Sequence, residues 1–143
     1  MYAKRIIGID YGRKRIGLAC SDPLRITAQP LPTLTLKTQE DAATRVCQAI
    51  AQLEIELLVV GLPVSLTGET GGAMAKEIKK FARDLERNGY STVLEDESFT
   101  SQEAMATLRL AGKKEKQMRG KTDSIAAQLI LQDYLDAHQK EWK

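Results

Sequence analysis

Leu57-Leu58-Val59-Val60-Gly61 is apolar without interruption. A strand with one wet face alternates apolar and polar residues. An unbroken run instead reads as a strand buried on both faces, as interior strands of parallel sheets are. The flanking sequence agrees. Residues 40–53 carry Ala43, Val46, Cys47, Ile50 and Leu53 on one helical stripe, and residues 73–88 form a second helical stretch stopped by Gly89. Helices on either side of a buried strand predict an α/β fold with helices covering the sheet.

The N-terminal third supplies the other strands. Residues 4–10 read as a central strand, and Gly12-Arg13-Lys14-Arg15 as a turn into a hairpin partner over residues 15–22. A third strand over residues 26–37 is interrupted by Pro30 and Pro32, which fits an edge or a bulged strand. Residues 91–95 form a short strand that leads into Asp96-Glu97. Thr100-Ser101-Gln102-Glu103 is a capping box that opens a helix ending at Gly112. Residues 112–121 hold five cations, one acid and no aliphatic beyond Met118, which reads as a mobile basic loop; Thr122-Asp123 then opens a final helix. The expected architecture is a mixed five-stranded sheet. The C-terminal ends of its first, fourth and fifth strands share one edge, where open α/β sheets bind ligands.

At 143 residues the chain is expected to form one domain. Its net charge of +2 argues neither for nor against nucleic acid, so the placement of charge matters more than its sum. Cys20 and Cys47 lie in apolar surroundings without metal-site spacing and read as reduced, buried thiols. No signal-peptide pattern and no apolar run near the ~20 residues of a membrane span is present, so a cytoplasmic location is expected.

Asp10 ends the apolar segment Ile6-Ile7-Gly8-Ile9. A carboxylate there costs several kcal/mol unless a cation or donor meets it, and the glycines on both sides leave room for a metal ion or a phosphate. Asp96, Glu97 and Asp123 are the other acids at element boundaries. Three carboxylates converging on one place hold one or two Mg²⁺ ions, which prefer oxygen ligands shared with phosphates. Each acid also has an ordinary reading: Asp10 as a hairpin-turn residue, Asp96 and Glu97 as a solvated strand end, Asp123 as a helix N-cap. Positions 123, 126, 127, 130 and 134 share a helix face, and the small Ala126 and Ala127 would let it lie close to the sheet. The single histidine, His138, lies near the C-terminus, away from any cysteine pair that would suit zinc.

Cations flank the acids. Arg13, Lys14 and Arg15 directly follow Asp10, and Lys113, Lys114 and Arg119 precede Asp123. Basic groups around an acidic centre suit a site that acts on a polyanion, because the cations anchor the phosphate backbone. The bland alternative is a pair of solvated charged turns. The glycine-containing loop at 68–72 lacks the Lys-Ser/Thr of a P-loop.

Gly8-Ile9-Asp10-Tyr11-Gly12-Arg13-Lys14-Arg15-Ile16-Gly17-Leu18-Ala19, Val60-Gly61-Leu62-Pro63, Asp96-Glu97 with Thr100-Ser101, Glu103-Ala104, and Asp123-Ser124-Ile125-Ala126-Ala127 with Leu131-Gln132 occur in that order. Together they resemble the YqgF family of Holliday-junction-resolvase-like nucleases, also regarded as nucleases that process the 5′ end of pre-16S rRNA. The resemblance implies an RNase H-like fold, a cytoplasmic location and chemistry dependent on Mg²⁺ or Mn²⁺. It also implies Asp10, Glu97 and Asp123 as the acidic triad, and structured RNA or branched DNA as substrate. One position departs: Ser98 stands where the family usually carries arginine, a fork-shaped phosphate ligand.

Two other readings stay open. A nucleic-acid-binding or ribosome-assembly module could keep the fold with weak or no catalysis, which the residue at Ser98 would suit. An actin-like ATPase lobe also begins Gly-x-Asp-x-Gly, but such folds need two lobes to enclose ATP. Either a monomer or a homodimer is compatible with the sequence.

Overall fold

The computed structural model describes residues 3–37, 41–62, 72–96 and 115–141, with 115–124 described as backbone. Strands β1 (Arg5–Asp10), β2 (Arg15–Ser21) and β3 (Ala28–Thr35) precede helix α1 (Ala42–Ile50) and strand β4 (Ile55–Leu62). Helix α2 (Gly72–Arg87), strand β5 (Thr92–Asp96) and helix α3 (Glu115–Ala137) follow, and a short 3₁₀ turn spans Gln139–Glu141. The five strands form one sheet in the order β3-β2-β1-β4-β5. β1 pairs antiparallel with β2 and β2 antiparallel with β3, whereas β4 runs parallel to β1 and β5 parallel to β4. The mixed sheet and the shared edge of the β1, β4 and β5 C-terminal ends are those expected from the sequence.

Strand alternation sorts the apolar residues into two cores. Ile7, Ile9, Leu58, Val60 and Leu62 point to the face covered by α1 and α2, where they meet Val46, Ile50, Ile78, Phe81 and Leu85. Ile6 and Val59 point the other way, toward Ala127, Ile130, Leu131 and Leu135 of α3. The run 57–61 is therefore unbroken because β4 is covered on both faces. Leu131 and Leu135 are fully buried, and each contributes about 1.5–3 kcal/mol by leaving water.

β3 is an edge strand, and the register shift between Ile16 and Leu18 of its partner β2 marks a bulge. That is where Pro30 and Pro32 can sit without removing a ladder bond from the sheet interior. α1 opens on Asp41, whose carboxylate accepts from the Thr44 backbone N–H at 3.0 Å and from the Thr44 hydroxyl at 2.7 Å.

The end of the sheet opposite Asp10 is pinned by polar contacts. Asp22 accepts from the backbone N–H groups of Leu24, Ile26 and Thr27, folding a turn in which Arg25 adopts a φ of 57°. The buried Arg25 side chain pairs with Glu56 at 2.7 Å and donates to the Lys4 carbonyl at 3.2 Å. Gln132 of α3 accepts from the Ala28 N–H and donates to the Ile26 carbonyl, while Gln128 donates to the Ala28 carbonyl. No helix among the described residues is long and apolar enough to cross a membrane.

One expectation is corrected. The final helix does not open at Thr122-Asp123: α3 already runs from Glu115, so residues 115–121 are helical and not a loop, and Asp123 is no N-cap. Lys116, Gln117, Met118, Arg119 and Lys121 all have good intrinsic helix propensity, and a cluster of like charges does not outweigh that. The capping-box helix expected between Thr100 and Gly112 lies outside the described residues.

Candidate active site

Asp10 closes β1 within the ladder, paired with Gly17, so it is a strand residue and not part of the hairpin turn. Alternation places it on the α3 face with Ile6 and Gly8, and it is half-buried there. Its neighbour on β2 is glycine. On β4 the register Ile9↔Val60 leads next to Gly61, again glycine. Both ladder neighbours of Asp10 are thus glycines, which contribute no side chain of their own to its row.

The helix above it comes unusually near the sheet. A Cβ on Gly8 would lie 2.6 Å from the Leu131 Cβ and 2.8 Å from the Ala127 carbonyl oxygen, so α3 rests on β1 backbone. Gln132 is anchored at the opposite end of the sheet, so α3 rises toward the Asp10 end as it is followed back to its N-terminus. From Gly8 to Asp10 is two strand residues, about 6.6 Å. From Ala127 back to position 123 is one helix turn, about 6 Å of rise.

β5 presents its acids alternately. Gly61 pairs with Glu95 and Leu62 with Asp96. Because Leu62 faces the α1–α2 core, Asp96 lies on that face as well, away from Asp10. Glu95 lies on the α3 face, in the same cross-sheet row as Asp10 and two strand spacings away, about 10 Å. It is half-buried, and burial pushes its carboxyl above the usual value. Asp133 and Asp96 add to that rise, and His138 opposes it. Sequence reasoning misses Glu95, although strict alternation along 92–96 separates it from Asp96. Glu97 lies outside the described residues.

The β1–β2 turn is tight: a Cβ on Gly12 would lie 2.4 Å from the Arg15 carbonyl oxygen. Arg13 and Lys14 are exposed at its tip, and Arg15 is half-buried. Arg13 donates from Nε to Glu77 of α2 at 2.9 Å, which holds its guanidinium on the α2 side, opposite the face of Asp10. Tyr11 turns to the same side. Its ring packs on Phe81 at 4.8 Å, and burial, followed by the Glu77 charge, raises its phenol pKa. A groove of about 270 Å³ lies there, walled by Tyr11, Arg13, Asp41, Glu77, Lys80 and Phe81. Lys113 and Lys114 lie outside the described residues, and Arg119 belongs to α3. Among the described residues no group of three His, Cys, Asp or Glu side chains forms a metal cage. The oxygen-only chemistry of Asp10 suits a hard divalent cation.

Comparison with known proteins matches residues 4–137 to a family model described as RuvX: Holliday junction resolvase. A Chlorobaculum tepidum protein is 44% identical over 140 residues, spanning 94% of this chain and 95% of its own length. One from Syntrophus aciditrophicus is 39% identical over 138 residues, spanning 96% of this chain and 91% of its own. Both are provisionally named pre-16S rRNA nucleases. Among solved structures, Thermus thermophilus RuvC in complex with a Holliday junction substrate superposes with a TM-score of 0.60 at 16% identity. That match covers 94% of this chain and 96% of RuvC. Fowlpox virus resolvase with junction DNA superposes with a TM-score of 0.57 at 12% identity, covering 93% of this chain and 97% of the resolvase. At such identities the likeness is one of fold, the RNase H-like sheet with helices on both faces.

Proposed function

The chain belongs to the RuvX Holliday junction resolvase family, and from that premise we propose that it is a divalent-metal-dependent endonuclease that hydrolyses nucleic-acid phosphodiesters. The names of its relatives favour pre-16S rRNA as the substrate, and the family resemblance of the sequence favours its 5′ end, with branched DNA the alternative. One observation carries the reading: the step from Gly8 to Asp10 along β1 matches the step from Ala127 to position 123 along α3. This supports Asp123 as a partner of Asp10 on one face of the sheet.

Asp10, Glu97 and Asp123 are the residues that would hold Mg²⁺ or Mn²⁺. Glu97 directly follows Asp96, the last residue of β5, in the sequence. When bound, the metal supplies Lewis-acid stabilisation of the charge that develops on the phosphodiester oxygens. The chain's own groups do the rest. Asp10 places negative charge in a row whose flanking residues, Gly17 and Gly61, are both glycine. Lys14, Arg15, Lys113, Lys114 and Arg119 would anchor the phosphate backbone, and Arg13 would join them only in competition with Glu77. A titration of Mn²⁺ into the protein by calorimetry tests the site apart from turnover: binding is expected for the native chain and absent in Asp10→Asn. Equal binding by both would remove Asp10 from the site. Ser98 favours a second reading, a binding module without cleavage, which the same titration combined with a cleavage assay separates.

A further inference from the structure

α2 carries a face that the site does not use. At 100° per residue, Lys76, Lys79, Lys80, Arg83 and Arg87 fall in a sector about 100° wide, directly opposite the buried Ile78, Phe81, Ala82 and Leu85. All five cations are exposed, and they extend along about 16 Å of helix. The acids of α2 stand at the flanks of this stripe: Glu77 and Asp84 on one side, Glu86 on the other. α2 holds five cations against three acids, a surplus of two, which equals the net charge of +2 of the whole chain. The remaining residues sum to zero net charge, so α2 carries a local surplus of its own.

Within the stripe, Lys80 and Arg87 lean on Asp84 at 2.8 and 3.5 Å. Lys76, Lys79 and Arg83 make no ion pair among the described residues. Unpaired like charges one turn apart on a helix repel each other, at a cost that an anionic partner would reverse. The stripe also has a direction. α2 leaves the β4 end of the sheet, where Arg13 of the hairpin turn meets Glu77, and runs back toward the start of β5. Its first cation, Lys76, therefore adjoins the edge that carries Asp10, and the others lead away from it.

We propose that the outward face of α2 is a second nucleic-acid contact, a track for the phosphate backbone of an arm or stem leaving the site, with Lys76, Lys79 and Arg83 as its principal cations. The charge complementarity is that of a polyanion with closely spaced charges, bound without base readout. The inference rests on the nuclease reading, because an arm reaches this face only if its junction or stem is held at the Asp10 edge.

The test measures affinity for a stem-loop of precursor rRNA and for a four-way DNA junction across a range of KCl concentrations, in an Asp10→Asn background that prevents cleavage. Lys79→Gln with Arg83→Gln is compared with Lys4→Gln with Lys140→Gln, exposed lysines near the two ends of the chain that lower net charge by the same amount. The α2 pair is expected to flatten the log-affinity against log-salt slope by nearly two, at about 0.9 for each phosphate no longer neutralised, and the control pair to leave it unchanged. Equal slopes for the two pairs, changed or not, would overturn the inference. If the parent protein binds neither probe in a salt-dependent way, the nuclease reading itself falls, a result distinguishable from failure of the α2 face alone.

Discussion

Gly8 and Ala127 meet with no side chain between them: the Cβ that Gly8 lacks would lie 2.8 Å from the Ala127 carbonyl oxygen. The contact is backbone on the helix side, so it cannot be relieved by a rotamer change, and α3 itself would have to move. Gly8→Ala is expected to lower stability by about 1–3 kcal/mol, the usual range for overpacking, even though alanine is otherwise the better strand residue. Urea denaturation measures this. Cleavage should fall more than stability, because a lifted α3 carries position 123 away from Asp10. A variant as stable and as active as the native chain would show that the close approach has no functional weight.

Two aspartates make the fold acid-sensitive. At Asp41 the hydrogen bonds from the Thr44 hydroxyl and N–H hold the carboxyl below its ordinary 3.8. At Asp22 burial raises the value, but the backbone donors at Thr27, Ile26 and Leu24 outweigh it and the net direction is down. A carboxyl with a depressed folded pKa contributes stability that is whole above its unfolded pKa and is lost as pH falls through the folded value. Stability is therefore expected to be flat near neutrality and to decline below about pH 4. Asp41→Asn keeps a capping oxygen and should remove part of that acid slope. Asp41→Ala loses the cap and should cost about 1 kcal/mol at neutral pH as well. Urea melts across pH check both, and an unchanged acid slope in Asp41→Asn would contradict the assignment.

Arg13 is expected to bind phosphate only in competition with Glu77. The pair is exposed, so breaking it should leave the melting temperature unchanged. Glu77→Gln should tighten binding of structured RNA and steepen its salt dependence by up to one phosphate's worth, and adding Arg13→Gln should cancel that gain. A gain that persists without Arg13 would mean that Glu77 acts only through the general field.

The N-terminal hairpin pairing, the helix-covered sheet and the Asp10 edge are legible in the sequence because they follow from short-range patterns. Ile6, Ile7 and Ile9 lie on a strand buried on both sides, and the prolines of β3 demand an edge. The start of α3 is hidden because a run of like charges around Gly112 and Gly120 resembles a loop, while its individual residues favour helix. The engagement of Arg13 by Glu77 joins residues 64 positions apart, and local spacing carries no trace of it. Glu95 is legible in principle, since counting alternate residues from Leu94 distinguishes it from Asp96. The basic stripe of α2 is legible too: its 3.6-residue period is as clear in the cations as in the apolar residues.

The central claim is that Asp10 carries metal-dependent phosphodiester cleavage. Its most direct test is cleavage of precursor 16S rRNA and of a four-way DNA junction by the native chain and by Asp10→Asn, each with Mg²⁺, Mn²⁺ or EDTA. Cleavage by the native chain that needs a divalent ion, disappears in EDTA and falls by at least about a hundredfold in Asp10→Asn is the predicted result. Cleavage that survives in Asp10→Asn or in EDTA would contradict the account, as would salt-dependent binding of both substrates with no metal-dependent cut in either.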